Sequence, residues 1–235
     1  MRPHLYRLTI DPEQRQEERV MLSAPQHHYL YRVVRLREGD RCILLNGQGQ
    51  GWIAQLAGDQ AQLLESLTLT NELPIPLTLL VALPKGSGFE EIIRAGTELG
   101  VSGFVPVISD RTLLKPSPQK LTRWQRIAQE AAEQCERAIV PTIAPPQPWP
   151  EVLTQAQGLK LLATARGDRP SLLQSLNCKT DHITLATGPE GGWTPGEVEG
   201  AIAAGFQPID LGPRILRAVT APIAAAAIIA SWQEK

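Results

Sequence analysis

The chain has 235 residues, 43% hydrophobic and 20% charged, with a formal net charge of -1. That balance excludes a disordered or low-complexity protein and supplies enough apolar material for a sizeable core. Residues 1–23 hold no apolar h-region, and the most apolar stretch, 221–230, is too short to cross a bilayer, so the expected location is the cytoplasm.

Cys42, Cys135 and Cys178 are widely spaced with no C-x-x-C pair, which suggests neither a disulfide framework nor a zinc site. No metal is expected. The net charge does not advertise nucleic-acid binding, but its distribution is uneven. Arg2 and Arg7 precede a cluster of Arg32, Arg35, Arg37 and Arg41, and arginine outnumbers lysine 17 to 6. The planar fork of arginine donates two parallel hydrogen bonds and suits phosphate. The competing account is a solvated face beside Glu38 and Asp40.

Residues 1–72 read as a small β-rich unit, with strands expected over 5–10, 41–45, 51–56 and 62–69. Gly47, Gly49 and Gly51 punctuate them. One helix interrupts them, capped by Ser23, carrying Pro25 in its first turn and running to Leu36. Asn71, Pro74 and Pro76 mark a boundary, and a second domain is expected over 73–235.

There the texture changes. Residues 77–83 form a continuous apolar run, as a strand covered on both faces does. Phe89, Ile92, Ile93, Gly96 and Leu99 follow at helical spacing, closed by Gly100, and a second strand covers 104–108. This βαβ unit implies a parallel sheet. A helix is expected over 121–138, further strands over 159–164, 183–187 and 207–211, and a last helix over 220–232. The proline-rich stretch 141–150 reads as a loop wrapping the surface.

Two loops carry candidate chemistry. The first follows the strand 183–187 and reads TGPEGGWTPGEVE. Gly188, Gly191 and Gly192 let backbone approach a ligand. Thr194, Pro195 and Glu197 form a helix start: N-cap, first-turn proline and capping-box glutamate. Ligands of open α/β sheets bind at such strand-loop-helix junctions. Taken alone, GPEGG is equally a plain turn. The second loop follows the strand 207–211 and reads LGPRILRAVTAPIAAAA. Ile215 and Leu216 are apolar side chains between Arg214 and Arg217. They suit an adenine slot, or a plug in the core.

Together these loops, GPEGG and then LGPRILR ahead of a small-residue helix, resemble the 16S rRNA uridine N3-methyltransferase family (ribosomal RNA small subunit methyltransferase E) of the SPOUT superfamily. The likeness covers nearly the whole chain. It includes HHYLYRVVRLREGD and NGQG near the N-terminus and LPKG, TELGV, RWQRIAQEAAEQCER and VP further on. The resemblance implies a PUA-like β-barrel that grips RNA, followed by an α/β parallel-sheet domain with a trefoil knot holding S-adenosylmethionine. It also implies a homodimer acting on N3 of uridine 1498 of 16S rRNA, within the small ribosomal subunit.

Under that resemblance, cofactor contacts fall at Thr164, Thr187, Gly188, Gly191, Leu211, Gly212, Ile215 and Leu216, and RNA contacts at Arg7, His28, Arg32, Arg35 and Arg37. Arg217 is the candidate for stabilising the uridine anion. Glu190 either balances the sulfonium, binds substrate, or merely sits at a helix N-terminus. Two places depart from the family pattern. Val219 stands in RAVTA where the family has a glutamate, and Ser87, Gly88 and Phe89 follow LPKG where the family favours a charge.

Uridine N3 carries a proton at neutral pH, whereas the methyl donor is already activated, so the enzyme's work is positioning and charge stabilisation. His27 and His28 lie on the helix that starts at Ser23, either against RNA or over the barrel, His4 and His182 show no partner, and Cys135 reads as packing. Three alternatives remain open: a SPOUT enzyme acting on another nucleotide or a ribose, a non-catalytic RNA-binding protein, and a Rossmann domain using Gly86 and Gly88. The last lacks its third glycine, Glu91 standing in that place.

Overall fold

The computed structural model describes residues 5–114, 116–165, 167–176 and 179–234, so Arg2, His4 and Cys178 lie outside the described residues. The chain forms two compact units. The first comprises Met1–Glu72 with Ala132–Val140, the second Leu73–Ala131 with Pro141–Lys235.

In the first unit the elements are β1 (Arg7–Thr9), β2 (Arg15–Gln16), β3 (Arg19–Met21), α1 (Ala24–His28), β4 (Arg41–Leu45), β5 (Gly51–Ala57) and β6 (Gln60–Leu67). They build a six-stranded sheet in the order β1-β4-β5-β6-β3-β2, antiparallel except for β1 against β4. Leu8, Val20, Leu30, Cys42, Leu44, Trp52, Leu56 and Leu63 converge in one core. Each such side chain contributes about 1.5–3 kcal/mol by leaving water. Burial pushes the Cys42 thiol up to about 12, so it stays protonated and packs as an apolar group.

Ser23 and Gln26 form the capping box that starts α1. The helical path continues as a π-helical turn, Tyr29–Val33, and ends before the expected Leu36, because Arg35 adopts φ +64. The hairpin β2–β3 is an addition to the sequence reading. The segment Ala132–Val140 closes the unit. Arg137, 2% exposed, donates through Nε and Nη2 to Glu72 Oε2 at 2.9 and 2.6 Å, while Glu72 Oε1 accepts from Ile139 N at 3.1 Å. A guanidinium buried to this degree requires such a pair.

In the second unit the elements are β7 (Leu77–Ala82), α2 (Gly88–Glu98), β8 (Gly103–Ile108), α3 (Pro118–Gln134), β9 (Thr142–Ile143), β10 (Gln147–Pro148), α4 (Trp149–Gln155), β11 (Leu159–Ala163), α5 (Leu172–Ser175), β12 (Ile183–Thr187), α6 (Pro195–Ala203), β13 (Gln207–Ile209) and α7 (Thr220–Gln233). The last residues of α3 are counted with the first unit. The seven strands are all parallel, in the order β10-β8-β7-β12-β11-β13, with β9 also beside β8. Leu79, Val81, Leu161, Ile183 and Leu185 are wholly buried, as a parallel sheet covered on both faces requires.

Two expectations are corrected. The stretch 141–150 is not a wrapping loop. It holds β9, β10 and the start of α4, with Ile143 and Trp149 buried. Its prolines are tolerated because a sheet edge leaves one row of backbone donors unused. The helix expected to reach Ala138 stops at Gln134, and Glu136 turns the chain at φ +67.

Candidate functional site

The parallel pairing of β12 with β11, and of β11 with β13, brings three strand ends to one edge of the sheet. Thr164 follows β11, Gly188 follows β12 and Leu211 follows soon after β13. Thr164 N donates to Ile209 O at 3.0 Å and ties the first of these ends to the third. The three loops enclose a cleft of about 930 Å³. Its wall includes Thr164, Thr187, Gly188, Gly191, Leu211, Gly212, Ile215 and Leu216, and Glu190 and Arg217 border it. Every cofactor and catalytic candidate named from the sequence therefore lines one cavity.

The capping box of α6 anchors this cleft. Thr194 accepts from Glu197 N, and Glu197 Oε2 accepts from Thr194 N at 2.7 Å. The carboxylate of Glu197 is 6% exposed and also accepts from Asp110 N at 2.9 Å through Oε1. Thr194 Oγ1 donates to Asp110 Oδ2 at 3.0 Å. The turn after β8 is thereby docked on the start of α6. Arg111, next in that turn, donates from Nη1 to Gly191 O at 2.6 Å. A Cβ on Gly191 would meet Arg111 Cδ at 3.1 Å. So the bareness of Gly191 also makes room for Arg111, beside the ligand approach that the sequence reading assigned to it.

Trp193 forms part of the wall. Its Nε1 donates to Ala163 O at 3.2 Å, and its ring stacks on Trp149 with centroids 4.3 Å apart. Glu190 is exposed at the rim, and its Oε1 accepts from Lys85 N at 2.9 Å, which links the GPEGG loop to the loop after β7. Ile215 is 64% exposed, so it does not plug the core. Thr187 Oγ1 is buried in the wall and has no hydrogen-bond partner among the described residues. An unmet hydroxyl beside apolar side chains and backbone is the donor set that a nucleoside-like ligand completes. Gly86 and Gly88 do not line this cavity.

A family model described as an RNA methyltransferase domain matches residues 71–230, and one described as an RNA methyltransferase PUA domain matches residues 22–65. The chain is 53% identical over 233 residues to the ribosomal RNA small subunit methyltransferase E of Synechocystis sp., covering 95% of this chain and 77% of that one. It is 32% identical to the Bacillus subtilis protein of the same name, covering 91% and 90%. The chain belongs to the ribosomal RNA small subunit methyltransferase E family. Its fold matches a crystal structure of the Neisseria gonorrhoeae member bound to S-adenosyl methionine, with a TM-score of 0.89, 31% identity and coverage of 97% and 98%. The resemblance drawn from GPEGG and LGPRILR is thus borne out, as is the α/β parallel-sheet domain preceded by a PUA-like unit.

In this family member the RNA candidates of the first unit divide. His28, Arg32, Arg35 and Arg37 are exposed, together with Tyr29 and Val33. Arg7 is different: its side chain is 13% exposed and its Nη2 pairs with Glu136 Oε2 at 2.7 Å. That pair competes with phosphate for the Arg7 guanidinium. His182 is not without a partner, since Nε2 lies 3.0 Å from Thr78 Oγ1. Cys135 Sγ lies 3.7 Å from Ala132 O within its own helix turn. Among the described residues no cluster suits a metal ion, and no helix is long and apolar enough to cross a membrane.

The sequence reading missed Arg111, Arg169 and Trp193 as residues of the cleft. Trp193 was reachable, being the aromatic residue inside the glycine loop. Arg111 was not, because 80 positions separate it from Gly191.

Proposed function

We propose that the chain transfers the methyl group of S-adenosylmethionine to N3 of uridine 1498 of 16S rRNA. The observation that carries this reading is the unmet hydroxyl of Thr187 inside a cleft made by three parallel strand ends. The family membership and the cofactor-bound Neisseria gonorrhoeae relative support it. The same reading includes a trefoil knot, a homodimer, the assembled small subunit as substrate and the cytoplasm as location.

The residues fit the cofactor. Ile215, Leu216 and Leu211 offer an apolar slot for adenine, and Thr187 and Thr164 offer hydroxyls. Gly212 leaves its backbone uncovered, while Gly188 lies against the Trp193 indole. When bound, S-adenosylmethionine supplies a methyl group already activated by the sulfonium charge. The protein's remaining task is the uracil. Its N3 must lose a proton before the lone pair is available, and the negative charge then spreads over N3 and the neighbouring carbonyl oxygens. Arg217, exposed at the rim, supplies a fixed cation to that charge and lowers the cost of deprotonation. The N3–C bond forms as the S–C bond breaks, and the proton leaves to solvent. Metal chemistry is not required by these steps.

The test is methylation of small subunits from a strain lacking its own enzyme, followed by mass mapping of the 16S rRNA. One added methyl on the uracil of uridine 1498 is expected. A methyl on a ribose, or on another nucleotide, would overturn the assignment.

A further inference from the structure

We infer that Arg111, Arg169, Arg214 and Arg217 form a phosphodiester-binding rim around the cleft, and that RNA held there tightens the cofactor's own binding. The inference rests on reading the cleft as an S-adenosylmethionine site. All four side chains border the cavity and are exposed. The ion pairs among the described residues are Arg7–Glu136, Arg123–Glu90, Arg126–Glu130 and Arg137–Glu72, and none involves the rim. Among the described residues Glu190 is the one carboxylate bordering the cleft, and it accepts from Lys85 N. Asp210, just after β13, accepts from Gly212 N through Oδ1 at 2.9 Å. Four guanidinium groups against the Glu190 carboxylate leave the rim net cationic.

The cofactor does not neutralise it. At neutral pH S-adenosylmethionine carries a sulfonium, an ammonium and a carboxylate, a net charge of about +1. A cluster of four cations around a cationic ligand opposes its binding unless another anion arrives. RNA brings one negative charge per nucleotide, and guanidinium matches phosphate in a two-pronged geometry. Arg111 is the member tied to the cleft wall by a hydrogen bond. Its stem lies on Gly191, one donor is fixed on the Gly191 carbonyl, and its turn is held by Glu197 and Thr194. The other donors of its fork remain for a phosphate. Neutralising the rim with RNA removes the repulsion felt by the sulfonium, and linkage requires that the cofactor then favours RNA by the same factor.

The charge can be probed by one atom. S-adenosylhomocysteine has a neutral thioether in place of the sulfonium, so it should feel the rim less. Calorimetry on the full chain would compare the two ligands, with and without a 16S rRNA hairpin containing the target uridine. The hairpin should tighten S-adenosylmethionine by about fivefold or more, the range of ordinary coupling energies, and tighten S-adenosylhomocysteine less. In R169A/R214A this difference should shrink. The slope of log affinity for the hairpin against log salt should fall by about 1.5, for two lost phosphate contacts. R169K/R214K should keep both properties, which separates loss of charge from loss of fold. An unchanged salt slope in R169A/R214A, with an unchanged ratio between the two ligands, would overturn the rim. Failure of the wild-type chain to bind either ligand would instead overturn the cofactor reading, while the salt slope still decides the phosphate site.

Discussion

Val219 Cγ2 stands 2.7 Å from the position that a Cβ on Gly88 would occupy. The sequence reading set the chain's departures from the family pattern at Val219 and at Ser87, Gly88 and Phe89, and of these Gly88 meets Val219 across the start of α2 and the start of α7. An apolar, β-branched residue at 219 fills the space left by the missing side chain at 88. A side chain at 88 would therefore compete with the one at 219 for the same space.

Gly88→Ala should destabilise the protein by about 1–3 kcal/mol, the usual cost of overpacking. Val219→Ala in the same chain should recover most of that loss. Denaturant unfolding of the two single variants and the double variant would give the coupling. Strictly additive changes would show that the two side-chain positions do not share space.

Arg217→Ala should lower the single-turnover rate by about a hundred- to a thousand-fold with saturating RNA, while cofactor affinity changes little. The rate should recover as pH rises, because hydroxide then removes the N3 proton without help from the cation. A pH-independent loss, or one confined to RNA affinity, would place Arg217 with the rim alone.

Glu190 offers a cleaner separation of charge from hydrogen bonding. Its Oε1 accepts from Lys85 N at 2.9 Å. Glu190→Gln keeps an acceptor there and should leave cofactor affinity within about twofold, roughly 0.4 kcal/mol. Glu190→Ala removes the link between two loops and should cost about 1 kcal/mol. Equal losses in both variants would mean that the negative charge itself matters, as it would if the carboxylate balanced the sulfonium.

Stability should also depend on pH through His182. Burial lowers its pKa below the ordinary 6.5, and Asp181 opposes this only in part. The folded chain thus favours the neutral ring, and the unfolded chain takes up a proton more readily. The stability contributed by the neutral ring is complete above about 6.5 and is lost as pH falls from there towards the folded value. Melting temperatures of the wild type and His182→Gln between about pH 7.5 and 5 should diverge in slope, the variant being flatter. Parallel profiles would remove His182 from the account.

Strong local signals made much of the fold legible. β4 and β12 fall where the sequence places strands at 41–45 and 183–187, and the capping boxes at Ser23 and Thr194 were readable from four residues each. Weak signals failed. β2 and β3 lie in a polar run with no alternation, and β9 and β10 are two-residue strands among prolines whose pairing comes wholly from β8. The loops of the cleft were legible because their glycines, Ile215 and Leu216 are contiguous in sequence. Arg111 and Arg169 were not, since only the parallel order of β8, β7, β12 and β11 brings their segments to the same edge. The pairing of Arg7 with the half-exposed Glu136, far along the chain, leaves no local trace.

The bond between Glu72 and Arg137 has a consequence for how this protein can be divided and recombined. The first unit is written in two separate stretches of the chain, and its second stretch lies inside the span that a linear cut would assign to its neighbour. A fragment beginning at residue 73 would carry Arg137 away from the carboxylate that makes its burial tolerable. Exchange of this unit between relatives should therefore move both stretches together, as a matched pair of segments and not as a detachable cassette.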